Sequence, residues 1–188
     1  NLGLPDPRDY PPRWRRDRKE RLAFLDRLLV GETWLFREWP AFALLGEWLS
    51  QRRQGFSAAD PLRVLTLPCA TGEEAWSIAA VVHESGLLPA AVLIEAMDIS
   101  PSALRQAAEG RYPRRKLRGQ PLTRWEHLLH PENGAMLRVD EALRAMVRFI
   151  EANAMNSGFL LARPPYHIIF CRNMMIYMSS VARDRVCA

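Results

Sequence analysis

Histidine and cysteine are scarce: four histidines and three cysteines in 188 residues. Cys69, Cys171 and Cys187 form no CxxC pair and no disulfide framework, so reduced thiols in a cytoplasmic protein are expected. His83, His127, His130 and His167 lack metal-ligand spacing, and all four read as structural or surface groups with no metal. No G-x-S-x-G elbow and no Ser/His/Asp order marks an acyl-transfer enzyme. No apolar run reaches membrane-spanning length, and no stretch reads as a signal peptide. Glycine is thin as well, at ten residues, and the G-x-G-x-x-G fingerprint is missing because only Gly72 stands in the relevant turn. That argues against a nicotinamide dehydrogenase.

What is present is ordinary for a single globular domain with a sizeable core: 48% apolar and 25% charged residues. The net charge is +5. Two clusters supply much of it: Arg13, Arg15, Arg16, Arg18, Lys19 and Arg21, then Arg111, Arg114, Arg115, Lys116 and Arg118. These are either solvated surface or a face for an acidic partner. No aromatic-basic interleaving supports nucleic acid, and an acidic protein surface fits at least as well. The first residue is Asn, and the chain is expected to begin inside a longer protein.

The organising stretch is 63–82, RVLTLPCATGEEAWSIAAVV. Residues 64–67 predict a strand closed by Pro68, residues 69–72 a tight turn, and Glu73-Glu74 the start of a helix ending near Gly86. Small residues at such a turn let a ligand approach the backbone. Free amide groups at the helix start suit a polar or anionic ligand. Two carboxylates in the first turn favour the helix through its dipole but repel phosphate. The turn therefore points to a ligand with hydroxyls or positive charge, not to a pyrophosphate.

Around this unit the pattern predicts a Pro-rich arm over 1–12 and helices over 17–29 and 39–54. A buried strand over 91–97 ends at Asp98, and Ser100-Pro101 caps a helix to Glu109. A short helix falls within 122–129, a turn at Asn133-Gly134, and strands over 135–140 and 144–151. The almost wholly apolar 166–170 suits the middle of a parallel sheet. A last helix begins near Ser179. Strands alternating with helices at these lengths predict βαβ units and an α/β fold.

Ligands of such sheets bind beyond the carboxyl ends of the strands. The turn 69–74, Asp98, and Cys171-Arg172-Asn173 fall there. Asp98 has the spacing of an acid that meets ribose hydroxyls, its plainer reading being a helix cap. Arg172-Asn173 puts polar groups at the mouth of an apolar sheet, or forms a structural salt bridge. Arg37 taken alone reads as a surface charge.

Four segments then occur in the order of one family: GETWLFREWPAF (31–42), LPCATGEEAWSIA (67–79), AMDISPSALRQAAEGRY (96–112) and YHIIFCRNMMIYM (166–178). On these the chain resembles the CheR-type protein-glutamate O-methyltransferases, which modify chemotaxis receptors with S-adenosyl-L-methionine. The resemblance implies a Rossmann-like class I methyltransferase sheet with flanking helices and a small antiparallel insertion at about 114–151. It implies an N-terminal arm and linker helix over 1–30 and a cofactor-binding domain over 31–188. Thr33 and Arg37 would contact the methionine end of the cofactor, and Glu73 its amino-acid part. Asp98 would hold the ribose hydroxyls, Asn153 and Ala154 would line the adenine pocket, and Arg172 and Asn173 would floor the site beside the methyl group. Arg37 and Tyr177 would stand nearest the incoming glutamate and are the catalytic candidates. The implied product is S-adenosyl-L-homocysteine, and the implied partner is the acidic methylation helices of a chemoreceptor-like protein. Nucleic acid and membrane insertion are not expected.

The chain departs from the family pattern at Gly31 (usually Asn), Leu35, Ala75, Trp76, Ala154 and Met178. Two rivals follow: a catalytically weak sensor or regulatory module that binds the cofactor or its product, and, from the basic charge, a nucleic-acid methyltransferase. The proline-aromatic tetrad of amino-methylating enzymes is absent; CRNMMIY stands in its place. The family also has a basic helical domain before this region and two sheet strands after it, so truncation at both ends is expected. A sheet cut after its fifth strand would expose an edge, to be completed by residues or a partner segment beyond Ala188.

Overall fold

Short apolar runs bounded by turn residues build the centre of the molecule. The computed structural model describes residues 16–29, 32–119, 122–156, 158 and 162–187. Helix α1 (Arg18–Leu28) starts where the Asp17 side chain accepts hydrogen bonds from the Lys19 and Glu20 amides, and none of its residues is buried. Helix α2 (Pro40–Arg52) opens on Pro40 and buries Phe42, Leu45 and Leu49. Strand β1 (Leu62–Thr66) leads through the 67–72 turn into α3 (Glu73–Glu84), which is buried along most of its length. Strand β2 (Val92–Asp98) leads into α4 (Pro101–Glu109), where Ser100 Oγ accepts from the Ala103 amide as the expected cap.

The remaining elements are β3 (Arg111–Pro113), α5 (Leu122–Trp125), β4 (Leu129–Glu132), β5 (Met136–Val139), α6 (Glu141–Arg144), β6 (Val147–Glu151), β7 (Ile168–Phe170) and α7 (Ser180–Cys187). The main sheet runs β6-β2-β1-β7 with every neighbour parallel. A second sheet, β3-β5-β4, is antiparallel. The expected α/β class with a parallel sheet and a small antiparallel insertion is therefore the architecture.

The insertion's limits differ from those expected. Residues 147–151 pair with β2 in parallel register, Ile94 opposite Val147 through Asp98 opposite Glu151, and so belong to the main sheet. The Asp140 side chain caps α6, and this single turn brings the chain back to the main sheet. The strand expected at 135–140 lies in the small sheet, so the main sheet has four strands among the described residues, not five. The helix expected over 122–129 is one turn, and Leu129 already starts β4. Strands β3 and β4 had no sequence signature, because each is short and contains a proline. Both are edges of their sheet, the position where a missing amide donor does no harm. The Pro-rich arm and Gly31 lie outside the described residues.

One face of the main sheet packs under α2 and α3, where Val64, Ile94 and Phe170 join Leu45, Leu49 and Ile78. The loop 32–39 plugs into this core: Leu35 and Phe36 are buried, and Phe36 stacks on Trp125 with ring centroids 4.0 Å apart. Because all four strands are parallel, Thr66, Asp98, Glu151 and Phe170 end at one side of the sheet.

Candidate functional site

At that side the 67–72 turn is stitched across neighbouring strand ends. The Leu67 amide donates to Phe170 O (2.9 Å), and the Cys69 amide donates to Met97 O (2.8 Å). Gly72 has φ 92°, and a Cβ there would lie 2.7 Å from Ala107 Cβ. The close helix approach therefore requires glycine. Five non-glycine residues among those described have positive φ. Two of them, Ala70 and Asn173, border this opening, two more, Phe36 and Glu38, lie in the 32–39 loop that contributes Thr33 and Arg37 to it, and Asn133 turns the β4–β5 hairpin. Backbone strain concentrated in this way marks a site that the surrounding packing holds in shape.

Asp98 ends β2 and is buried. Its Oδ2 accepts from the Ala70 amide (2.8 Å) and its Oδ1 from the Ser100 amide (2.9 Å). Burial nevertheless pushes its carboxyl pKa above the usual aspartate value. Ser100, not Asp98, is the cap of α4. Asp98 thus shapes the turn and keeps spare acceptor capacity toward a cavity of about 690 Å³, a volume fit for a nucleoside-sized ligand. Asn153, Ala154, Asn173 and Tyr177 line the same cavity. So does α1, through Leu25, Asp26 and Leu28, with Ser100 Oγ donating to Asp26 Oδ1 (2.6 Å).

A smaller cavity of about 120 Å³ adjoins it, lined by Thr33, Arg37, Glu74 and Arg172. Pro68, Ala70, Asn173 and Tyr177 border both cavities, which makes them one cleft. Arg37 Nη1 donates to Glu32 O (2.7 Å), and its guanidinium lies 4.7 Å from the Trp34 ring centroid. Arg37 Nε is buried and has no hydrogen-bond partner among the described residues, its nearest anion being Glu38 Oε1 at 3.6 Å. An orphaned guanidinium donor in a cavity wall suits a carboxylate.

Arg172 ties the loop to α3. It donates to Glu74 Oε2 (2.8 Å), Arg37 O (2.8 Å) and Glu38 Oε2 (2.9 Å). The salt-bridge reading of Arg172 is therefore right, and it serves the cleft wall. Arg172 holds Glu38 below the usual glutamate pKa. Burial outweighs Arg172 and Thr66 at Glu74 and pushes that carboxyl up. Tyr177 is 73% exposed at the mouth.

Glu73 lines neither cavity. It is 0% exposed, its Oε2 accepts from Thr71 Oγ1 (2.6 Å), and its Oε1 lies 2.8 Å from Lys116 Nζ as a charge contact rather than a well-directed hydrogen bond. Its neighbour Glu74 faces the cleft instead. No sequence signal ranks two adjacent acids at a helix start; the helical turn between them decides which points into the cleft. Among the described residues no cluster of His, Cys, Asp or Glu could hold a metal ion.

The CheR methyltransferase, SAM binding domain family model matches residues 31–188. The chain belongs to this family. It is 33% identical over 184 residues to the Pseudomonas putida protein named "Probable biofilm formation methyltransferase WspC", covering 98% of this chain and 43% of that protein. The corresponding Pseudomonas aeruginosa WspC is 33% identical over 186 residues, covering 98% and 44%. A chemotaxis protein methyltransferase of Vibrio parahaemolyticus is 30% identical over 177 residues, covering 91% and 62%. The chain thus spans less than two thirds of these relatives' length.

The cleft fits the ligand that defines the CheR domain. Asp98 offers a buried acceptor for hydroxyls, Glu74 an acidic group for an ammonium, and Arg37 Nε, which among the described residues makes no hydrogen bond beyond its 3.6 Å charge contact with Glu38, a donor for a carboxylate. Thr33, Arg37, Asp98, Asn153, Ala154, Arg172, Asn173 and Tyr177 are brought together around it, and Glu73 is not. Among the described residues no helix is long and apolar enough to cross a membrane.

Proposed function

We propose that this CheR domain transfers a methyl group from S-adenosyl-L-methionine to glutamate carboxylates of a chemoreceptor-like protein in the cytoplasm. The observation that carries the proposal is the single cleft with Asp98 at one end and, at the other, Arg37, whose Nε makes no hydrogen bond among the described residues. Asp98 would hold the ribose hydroxyls, Asn153 and Ala154 the adenine, and Glu74, Thr33 and Asn173 the amino-acid end. When bound, the cofactor supplies a methyl group activated on a sulfonium.

The rest is done by this chain. A glutamate carboxylate is already ionised and nucleophilic at neutral pH, so no general base is required. Arg37 would orient it, and Tyr177, at the mouth of both cavities, would set its angle by hydrogen bonding. Together they would hold the carboxylate oxygen toward the methyl group that the cofactor supplies, which would leave S-adenosyl-L-homocysteine and the methyl ester as products. Alignment and exclusion of water supply the acceleration. The net charge of +5 suits acidic target helices, and relatives named for chemotaxis and for biofilm formation point to receptors of such signalling systems.

The test is methyl transfer from tritiated cofactor to a receptor fragment, with titration of S-adenosyl-L-homocysteine alongside. Arg37→Ala is expected to abolish transfer while retaining much of the product's affinity. Unchanged transfer refutes the role of Arg37. Tight binding with no transfer to any receptor fragment favours a sensor, and a salt-dependent shift on DNA or RNA favours a nucleic-acid enzyme.

A further inference from the structure

The small antiparallel sheet reaches the cleft through one short stretch, 112–116, and that stretch touches both walls. Tyr112 is buried, and its hydroxyl donates to Thr71 O (2.6 Å) while accepting from Trp76 Nε1 (2.9 Å). Thr71 belongs to the large cavity. Four residues on, Lys116 extends inward. Its Nζ donates to Thr33 O (2.6 Å) and lies 2.8 Å from Glu73 Oε1, while the other Glu73 oxygen takes the Thr71 hydroxyl. The Lys116 carbonyl accepts from the Leu35 amide (2.7 Å). Thr33 belongs to the small cavity. One ammonium therefore joins the loop 32–39 to the first turn of α3, and one phenol fixes the glycine turn.

Two other contacts hold the loop to α3, both away from Thr33: the Phe36 amide donates to Ser77 Oγ (2.8 Å), and Arg172 joins Glu74 to Arg37 O and Glu38. Among the described residues neither contact reaches Thr33, whose carbonyl takes its hydrogen bond from Lys116. The charge on Lys116 is spent inside the protein: the side chain is 22% exposed beside a fully buried carboxylate. A lysine kept for solubility or for an external partner would point outward. Glu73, left without Lys116, would be a buried unpaired anion. The pair is thus internally neutral and leaves Glu74 as the acid that faces the cleft.

We propose that Lys116 and Tyr112 are positioning residues for the cofactor cleft, setting the distance between the Thr33 wall and the Thr71 wall without touching the ligand themselves. This rests on the reading of the cleft as the S-adenosylmethionine site.

The test uses the full-length protein and S-adenosyl-L-homocysteine as the probe. Lys116→Met alone strands the buried Glu73 carboxylate and destabilises the fold, so the informative variant is Lys116→Met with Glu73→Gln, which removes both charges and keeps an acceptor for Thr71. Expected are a near-parental melting temperature without ligand and an affinity reduced on the order of tenfold, the loss of one charge-assisted contact. In turnover, KM for the methyl donor rises while kcat at saturating donor is kept, a split that a general loss of fold would not give. Tyr112→Phe, which removes only the hydroxyl, should act in the same direction, and Lys116→Arg should restore most of the affinity. A folded double variant that binds with the parental affinity overturns the proposal. Absence of binding in the unmodified protein overturns instead the reading beneath it, so the two failures are distinct.

Discussion

Replacing Glu74 with glutamine removes one negative charge from the narrow end of the cleft and changes almost no volume. The carboxylate accepts from Thr66 Oγ1 (2.7 Å) and Arg172 Nη1 (2.8 Å), and burial makes its ionised form costly. An amide oxygen can keep one of these bonds. Arg172 retains Glu38 and the Arg37 carbonyl. Relief of desolvation offsets much of the lost attraction, so stability should change by only about 1 kcal/mol. A ligand ammonium that relied on this charge loses about 1.5–3 kcal/mol, or roughly 10- to 150-fold in Kd. Glu73→Gln should behave in the opposite way. It strands the Lys116 ammonium beside a fully buried amide, a cost of about 3 kcal/mol or more, which at roughly 2–4 °C per kcal/mol lowers Tm by at least 6 °C. Lys116 still holds the Thr33 carbonyl, so affinity falls less than with Glu74→Gln. Calorimetric titration of S-adenosyl-L-homocysteine and thermal melting of both variants make the comparison. Equal affinity of Glu74→Gln and the unmodified protein would refute the assignment of Glu74, and an unshifted Tm for Glu73→Gln would refute that of Glu73.

Asp98→Asn should weaken product binding by at least about tenfold through loss of a charged acceptor, measured by the same titration. Gly72→Ala should destabilise by about 1–3 kcal/mol, since its φ of 92° and a Cβ contact of 2.7 Å to Ala107 both oppose a side chain; urea unfolding with an unchanged midpoint would contradict this. Burial raises the folded pKa of both Glu74 and Asp98, so the fold favours their protonated forms. Their contribution to stability is full below the ordinary carboxylate range and is lost as pH rises through the raised values. The variant carrying both Glu74→Gln and Asp98→Asn should therefore lose less stability than the unmodified protein as pH rises across that window, and a steeper decline would reverse the argument.

The sequence by itself determined the elements whose signal is local. Pro40, Ser100-Pro101 and the 69–72 turn set their own helix starts and caps, and runs such as VLIEAM over 92–97 are buried strands because nearly every side chain is apolar. It also determined the family, because four spaced segments are jointly specific where each alone is not. Tertiary structure decided everything that depends on which face a residue presents or which strand it meets. Residues 147–151 joined the main sheet because β2 offered an unpaired parallel edge, a fact no property of those five residues encodes. The choice of Glu74 over Glu73 was a helix rotation of one residue, and the inward path of Lys116, which composition counted as surface charge, was fixed by a buried anion 43 positions earlier in the chain.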